Sequence, residues 1–130
     1  SLKSNNMNKG VYGLPKSRTY ESGYKVYTAL ITQVSTDPPV AKVLENTIGQ
    51  VWWSYQSTGI YKINSDRLFP FNKTYIDCKN IFGSQWSKNI FPSIEESSQP
   101  NSLTIKNWDY TIPDLSDGFD TAIIEIRVYI

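Results

Sequence analysis

The sequence has no histidine, one cysteine and one methionine in 130 residues. Without His, the commonest general acid and base at neutral pH is missing. With a single Cys, so are the commonest ligands of zinc and copper. Cys78 has no second cysteine in the chain to pair with, and no imidazole to draw off its proton. In "TYIDCKN" it therefore reads as a small buried hydrophobe and not as a nucleophile. No cofactor is expected.

Long apolar runs are also missing. The longest is only a few residues, against the roughly 20 that span a bilayer, and the N-terminus has no apolar signal core. Charge is balanced at +1, with Lys and Arg scattered along the chain. A nucleic-acid footprint or polybasic membrane patch needs clustered cations, so neither nucleic acid nor membrane insertion is expected.

What remains is rich in aromatics, 14% with Trp 4 and Tyr 9, alongside Ser, Thr, Asn and Ile. This composition suits pleated surfaces and polar turns. A chain of this length fits one domain and buries roughly two-thirds of its unfolded surface without disulfides.

Residues 1–23, "SLKSNNMNKGVYGLPKSRTYESG", carry Gly, Pro and polar residues with no periodic apolar face, and read as an extended arm or linker. Met7 is a candidate native start, with "SLKSNN" appended ahead of it. The pattern changes at Tyr24. "YKVYTALITQV" puts Tyr24, Val26, Thr28, Leu30 and Thr32 on one face of a strand and Lys25, Tyr27, Ala29, Ile31 and Gln33 on the other. Both faces are partly apolar. "STDPP" ends the strand, because Pro38 and Pro39 donate no ladder hydrogen bonds.

"VAKVLEN" and "QVWWSYQ" read as two short strands around a Thr47–Gly49 turn, and Gly59 turns the chain into "IYKINS", so the pieces form a meander. Alternation gathers Trp53, Tyr55 and Tyr61 on one face of this hairpin and leaves Trp52 on the other. After Pro70, "NKTYIDCKN" sets Tyr75, Asp77 and Lys79 opposite Thr74, Ile76 and Cys78. Residues 83–101 are the least regular and read as one long loop. "SLTIKNWDYT" and "TAIIEIRVYI" are the last strands, joined through "IPDLSDGFD" with its Asp117-Gly118 turn signal. About eight short strands, spaced roughly ten residues apart, predict an all-β fold: an antiparallel β-sandwich, jelly-roll-like, over residues 24–130.

Candidate chemistry is sparse. Asp114, Asp117 and Asp120 loosely match a Ca²⁺ loop but lack its bidentate Glu, so they read as turn carboxylates and no metal is assigned. Glu95 and Glu96 are adjacent, and neighbouring side chains in extended backbone point apart, so the pair cannot act as a glycosidase acid and base. No enzyme is expected. Four aromatics, Trp86, Phe91, Trp108 and Tyr110, offer flat apolar faces with polar edges and are the candidate ligand or receptor contacts, although Trp86 and Phe91 equally suit plugs for one end of the sandwich. Trp52 and Trp53 cannot both face a two-layer core. Trp52, with Tyr27 on the doubly apolar first strand, is therefore a candidate contact between copies.

The runs "YKVYTALITQ", "PVAKVLENTIG", "VWWSY", "STGIYKINSDRLF", "NKT" and the terminal "IEIRVYI" resemble a β-domain recurring in small virion or fibre proteins of phages that infect Bacteroidetes. The likeness spans residues 24–82 and the last ten, and it brings no active site. It implies a virion protein with no catalytic function, anchored through its N-terminal arm to other virion proteins. The β-head would be trimeric, and its loops would meet a host surface glycan or protein. The alternative is a secreted bacterial carbohydrate-binding module.

Overall fold

The structure is a computed structural model that describes residues 23–81, 87–95 and 98–130. Except for Gly23, the expected N-terminal arm lies outside the described residues. The strands are β1 (Tyr24–Gln33), β2 (Val40–Asn46), β3 (Val51–Ser57), β4 (Ile60–Ser65), β5 (Thr74–Asn80), β6 (Lys88–Ser93), β7 (Ser102–Asp109), β8 (Asp114–Leu115) and β9 (Phe119–Tyr129).

The period-two pattern of β1 becomes burial. Tyr27, Ala29, Ile31 and Gln33 are shut inside while Val26, Thr28, Leu30 and Thr32 stay half-exposed. β9 runs antiparallel beside it with Ile126 opposite Tyr27, Ile124 opposite Ala29 and Ala122 opposite Ile31, so both strands send matching apolar rows to one face. β5 extends the row with Ile76 opposite Ile126 and Cys78 opposite Ile124. The first sheet has the order β2-β1-β9-β5.

The second sheet has the order β3-β4-β7-β6, with β8 paired to β7. Tyr61 and Ile63 on β4 and Leu103 and Ile105 on β7 are fully buried, with Tyr61 opposite Ile105 and Ile63 opposite Leu103. The two inner faces meet as one core, and the expected antiparallel β-sandwich is the architecture that forms. Each fully buried aliphatic side chain stabilises it by about 1.5–3 kcal/mol. Trp53 and Tyr55 line the core from the β3 edge, and the Trp53 indole N–H donates to the Tyr27 hydroxyl at 3.4 Å.

Two expectations are corrected. β2 and β3 do not form a hairpin, since β2 pairs with β1 and β3 with β4, in different sheets. Thr47 stays with β1, its N–H donating to Val26 O at 2.8 Å, and the chain then crosses the sandwich through buried Ile48. A crossing and a tight turn carry the same Asn and Gly punctuation. The stretch 83–101 is likewise not one loop, because it contains β6, paired along β7 from Lys88–Asp109 to Ser93–Thr104. Pro92 sits within β6, which is tolerated because β6 is an edge strand and one side of its ladder needs no donors.

Cys78 is buried on the inner face of β5, and burial, with a smaller contribution from the charge of Asp77, pushes its thiol up to about 12. The folded chain therefore holds this proton more tightly than the unfolded chain. The resulting stability is intact below the thiol's ordinary value of 9.0 and is lost as pH rises from there toward about 12. Native protein at pH 8 should be inert to a thiol reagent until denaturant unfolds it. Fast labelling of the native chain would contradict this burial.

In the core, Ile124→Ala should cost about 2–5 kcal/mol in urea unfolding. Val40→Ala on exposed β2 should change stability by no more than about 0.5 kcal/mol.

Candidate functional site

Because the inner faces are closed on one another, any binding surface on the described residues belongs to the outer faces or the ends. The outer face of the second sheet is read by register. Trp52 lies opposite Asn64, which lies opposite Ser102; Ser54 lies opposite Lys62, then Thr104 and Ser93. The next row holds Ile60, Lys106 and Phe91, and the last holds Trp108 with Asn89 and Leu115.

Trp52 is therefore at one edge of this face and Phe91 at the other, with Trp108 diagonal to Phe91 on the neighbouring strand. Phe91 and Trp108 are half-buried, and Tyr110, just past the end of β7, is 60% exposed. Trp86 lies outside the described residues. Tyr27 is corrected. Only 1% exposed and hydrogen-bonded to Trp53, its ring is enclosed by the core of its own chain and has no surface to offer a second copy. Trp52 is 51% exposed, as alternation against buried-side Trp53 requires.

A shallow recess lies beside Trp52, lined also by Ser54, Asn64, Asp66, Asn101 and Ser102. Its polar wall is held from behind. Asn64 Nδ2 donates to Trp52 O (3.2 Å) and Ser54 Oγ (3.0 Å), and Asn64 Oδ1 accepts from Ser102 Oγ (2.8 Å). The loop carrying Asp66 is pinned to Asn101: Ser65 N donates to Asn101 O (2.7 Å) and Arg67 N to Asn101 Oδ1 (3.2 Å).

The first sheet carries a second aromatic group that the sequence reading did not single out. The Arg127 guanidinium lies 4.9 Å from the Tyr24 ring centre and 5.8 Å from that of Tyr75, and Tyr24 packs against Tyr129 at 5.3 Å. Its Nε donates to Glu125 Oε2 at 2.8 Å. These residues are far apart in sequence and meet only because β5, β9 and β1 are neighbours.

The aspartate-rich turn has a structural role. Asp117 accepts from Tyr55 Oη (2.9 Å), from Gly59 N (2.7 Å) and from Tyr61 Oη (3.0 Å). Tyr61 shares its one proton between Asp117 and Gln33 Oε1 (2.9 Å), and Gln33 Oε1 also accepts from Gly118 N (2.6 Å). Burial, and then the hydrogen bond to Asp117, raise the Tyr61 phenol well above its ordinary range.

Lys88 Nζ and Asn107 Nδ2 donate to Gly118 O at 2.7 and 3.2 Å. Gly59 turns with φ +69, and a Cβ there would lie 2.7 Å from Ser116 N, so a side chain is excluded. Asp114 accepts from Leu115 N, and among the described residues no group of three His, Cys, Asp or Glu is placed to hold a metal ion. Glu95 is exposed, and Glu96 lies outside the described residues.

No protein-family model, no curated protein and no solved structure matches the chain.

Asp117→Ala would strand Gly59 N and the Tyr55 hydroxyl and leave Tyr61 with Gln33 Oε1 as its acceptor. Thermal and urea unfolding should show a loss on the order of 2–4 kcal/mol, since each stranded buried donor costs about 1–3 kcal/mol. A change below about 0.5 kcal/mol would mean that this turn does not fasten the sheets.

Proposed function

We propose that the chain is a phage virion structural protein, a capsid- or tail-attached spike or fibre head that works in assembly and surface display, with host attachment through its outer faces. Residues 1–23 are the anchor to other virion proteins. The likeness of the β1–β5 sequence runs and the terminal strand to phage virion β-domains supports this reading.

The single structural observation that carries it is the β2 edge. β2 has no buried residue, only Ala41 approaches the core, and Val40, Val43 and Leu44 are 68%, 50% and 53% exposed. Among the described residues no strand lies beside its outward backbone N–H and C=O groups. An apolar, unpaired edge is a template for another strand, and a soluble protein that retains one has a partner for it. Pairing of β2 with another copy, three-fold as in fibre heads, satisfies both the backbone and the aliphatic groups. A second reading, a secreted bacterial carbohydrate-binding module, is favoured by the Trp52 recess.

Mass spectrometry of purified phage particles should find the chain among the virion proteins. Its absence from particles, together with secretion by a bacterium, would favour the second reading. Light scattering of the purified chain should give a trimer, and Leu44→Lys should shift it to a monomer that still unfolds cooperatively, at a lower melting temperature because assembly no longer stabilises the folded chain. A monomeric native chain would refute assembly through β2.

A further inference from the structure

The Trp52 recess combines groups that are seldom left unused together. Trp52 presents half of an indole, whose N–H makes no hydrogen bond among the described residues. Asp66 is exposed and its carboxylate likewise accepts nothing among them. Asn101 spends its carbonyl oxygens on Ser65 and Arg67, which leaves its side-chain amide Nδ2 directed to no partner among the described residues. Asn64, by contrast, is spent inside the wall, with both Nδ2 hydrogens donated to Trp52 O and Ser54 Oγ. The wall is thus rigid, and the groups at its rim are free.

We infer that this recess is a binding site for a neutral saccharide. A pyranose ring has an apolar face of C–H groups, and a flat exposed indole is complementary to it. Its hydroxyls are paired donors and acceptors set a short distance apart. A carboxylate takes two such donors at once, and an amide N–H₂ supplies the returning hydrogen bonds.

The lining contains one anion and no cation, so a uronic or sialic acid would be repelled by the Asp66 carboxylate with no cation in the lining to offset it. Because loop 65–67 is fastened to Asn101, little ordering is needed when the sugar arrives, and binding loses less to entropy. Affinity in so open a site is weak, in the range where several copies on one particle add avidity.

The inference rests on the attachment part of the proposed function but is tested separately from it. The full chain is titrated by intrinsic fluorescence and calorimetry with neutral gluco-, manno-, galacto- and xylo-oligosaccharides, and with sialyllactose and oligogalacturonate. At least one neutral series should bind saturably and perturb tryptophan fluorescence. Trp52→Ala and Asp66→Asn should each weaken it by roughly tenfold or more, with unfolding midpoints unchanged, and Ile112→Ala, exposed past the far end of β7, should leave it intact.

Binding that survives Trp52→Ala, binding only of the acidic sugars, or no binding of any neutral series at millimolar concentration overturns the inference. If the chain is found in particles while no neutral sugar binds, only this inference fails. If a neutral sugar binds through Trp52 but the chain is absent from particles, the virion reading fails and this site stands.

Discussion

The sandwich is fastened at one end by a single turn. Gln33 reaches it from the first sheet, and Tyr55, Gly59, Tyr61 and Asn107 reach it from the second, all converging on Asp117 and Gly118. The Gln33, Tyr61 and Gly59 groups that converge here each meet a partner, so their burial is not left uncompensated. Gln33 is the limiting case. At 2% exposure it uses its carbonyl on Tyr61 and Gly118 and its amide on the Ser35 and Asp37 carbonyls. Hydrophobic burial brings the two sheets together without fixing how they are stacked. A set of directional bonds shared between them does fix it, and with it the position of every outer-face residue.

Much of the fold was legible because period-two alternation is a local property. The split of Trp52 from Trp53, the inner row of Tyr27, Ala29 and Ile31, and the Ile76 and Cys78 face of β5 all follow from which neighbours alternate. Sheet membership was not legible in the same way. Around Gly49 the sequence marks a change of direction, but whether the next strand pairs or crosses depends on Ile48 finding the core, a fact about distant residues. β6 escaped notice because Pro92 argues against a strand, and only its place at an edge removes the objection.

The candidate site divides along the same line. Trp52 could be singled out from its neighbour alone, whereas its company of Asp66, Asn101 and Ser102 is assembled by β4 and β7 pairing. Asp117 was seen as a turn residue, but its partners Tyr55, Gly59 and Tyr61 lie 56 to 62 positions away. Nothing local marks it as the fastening of two sheets. The Tyr24, Tyr75 and Tyr129 cluster around Arg127 is of the same kind, built by three strands from separate parts of the chain.

The inner faces are spent on holding shape, and the proposed assembly would use the exposed β2 edge, so the account turns on a difference in protection between strands. Native-state hydrogen exchange at low concentration and under conditions of the proposed assembly tests it most directly. Amides of β1 and β9 should exchange only through global unfolding in both forms, whereas the outward amides of Val40–Asn46 should exchange freely in dissociated chains and become protected on assembly. Protection of β2 that is the same at all concentrations and in every state, or early exchange in β1 and β9, would contradict the account.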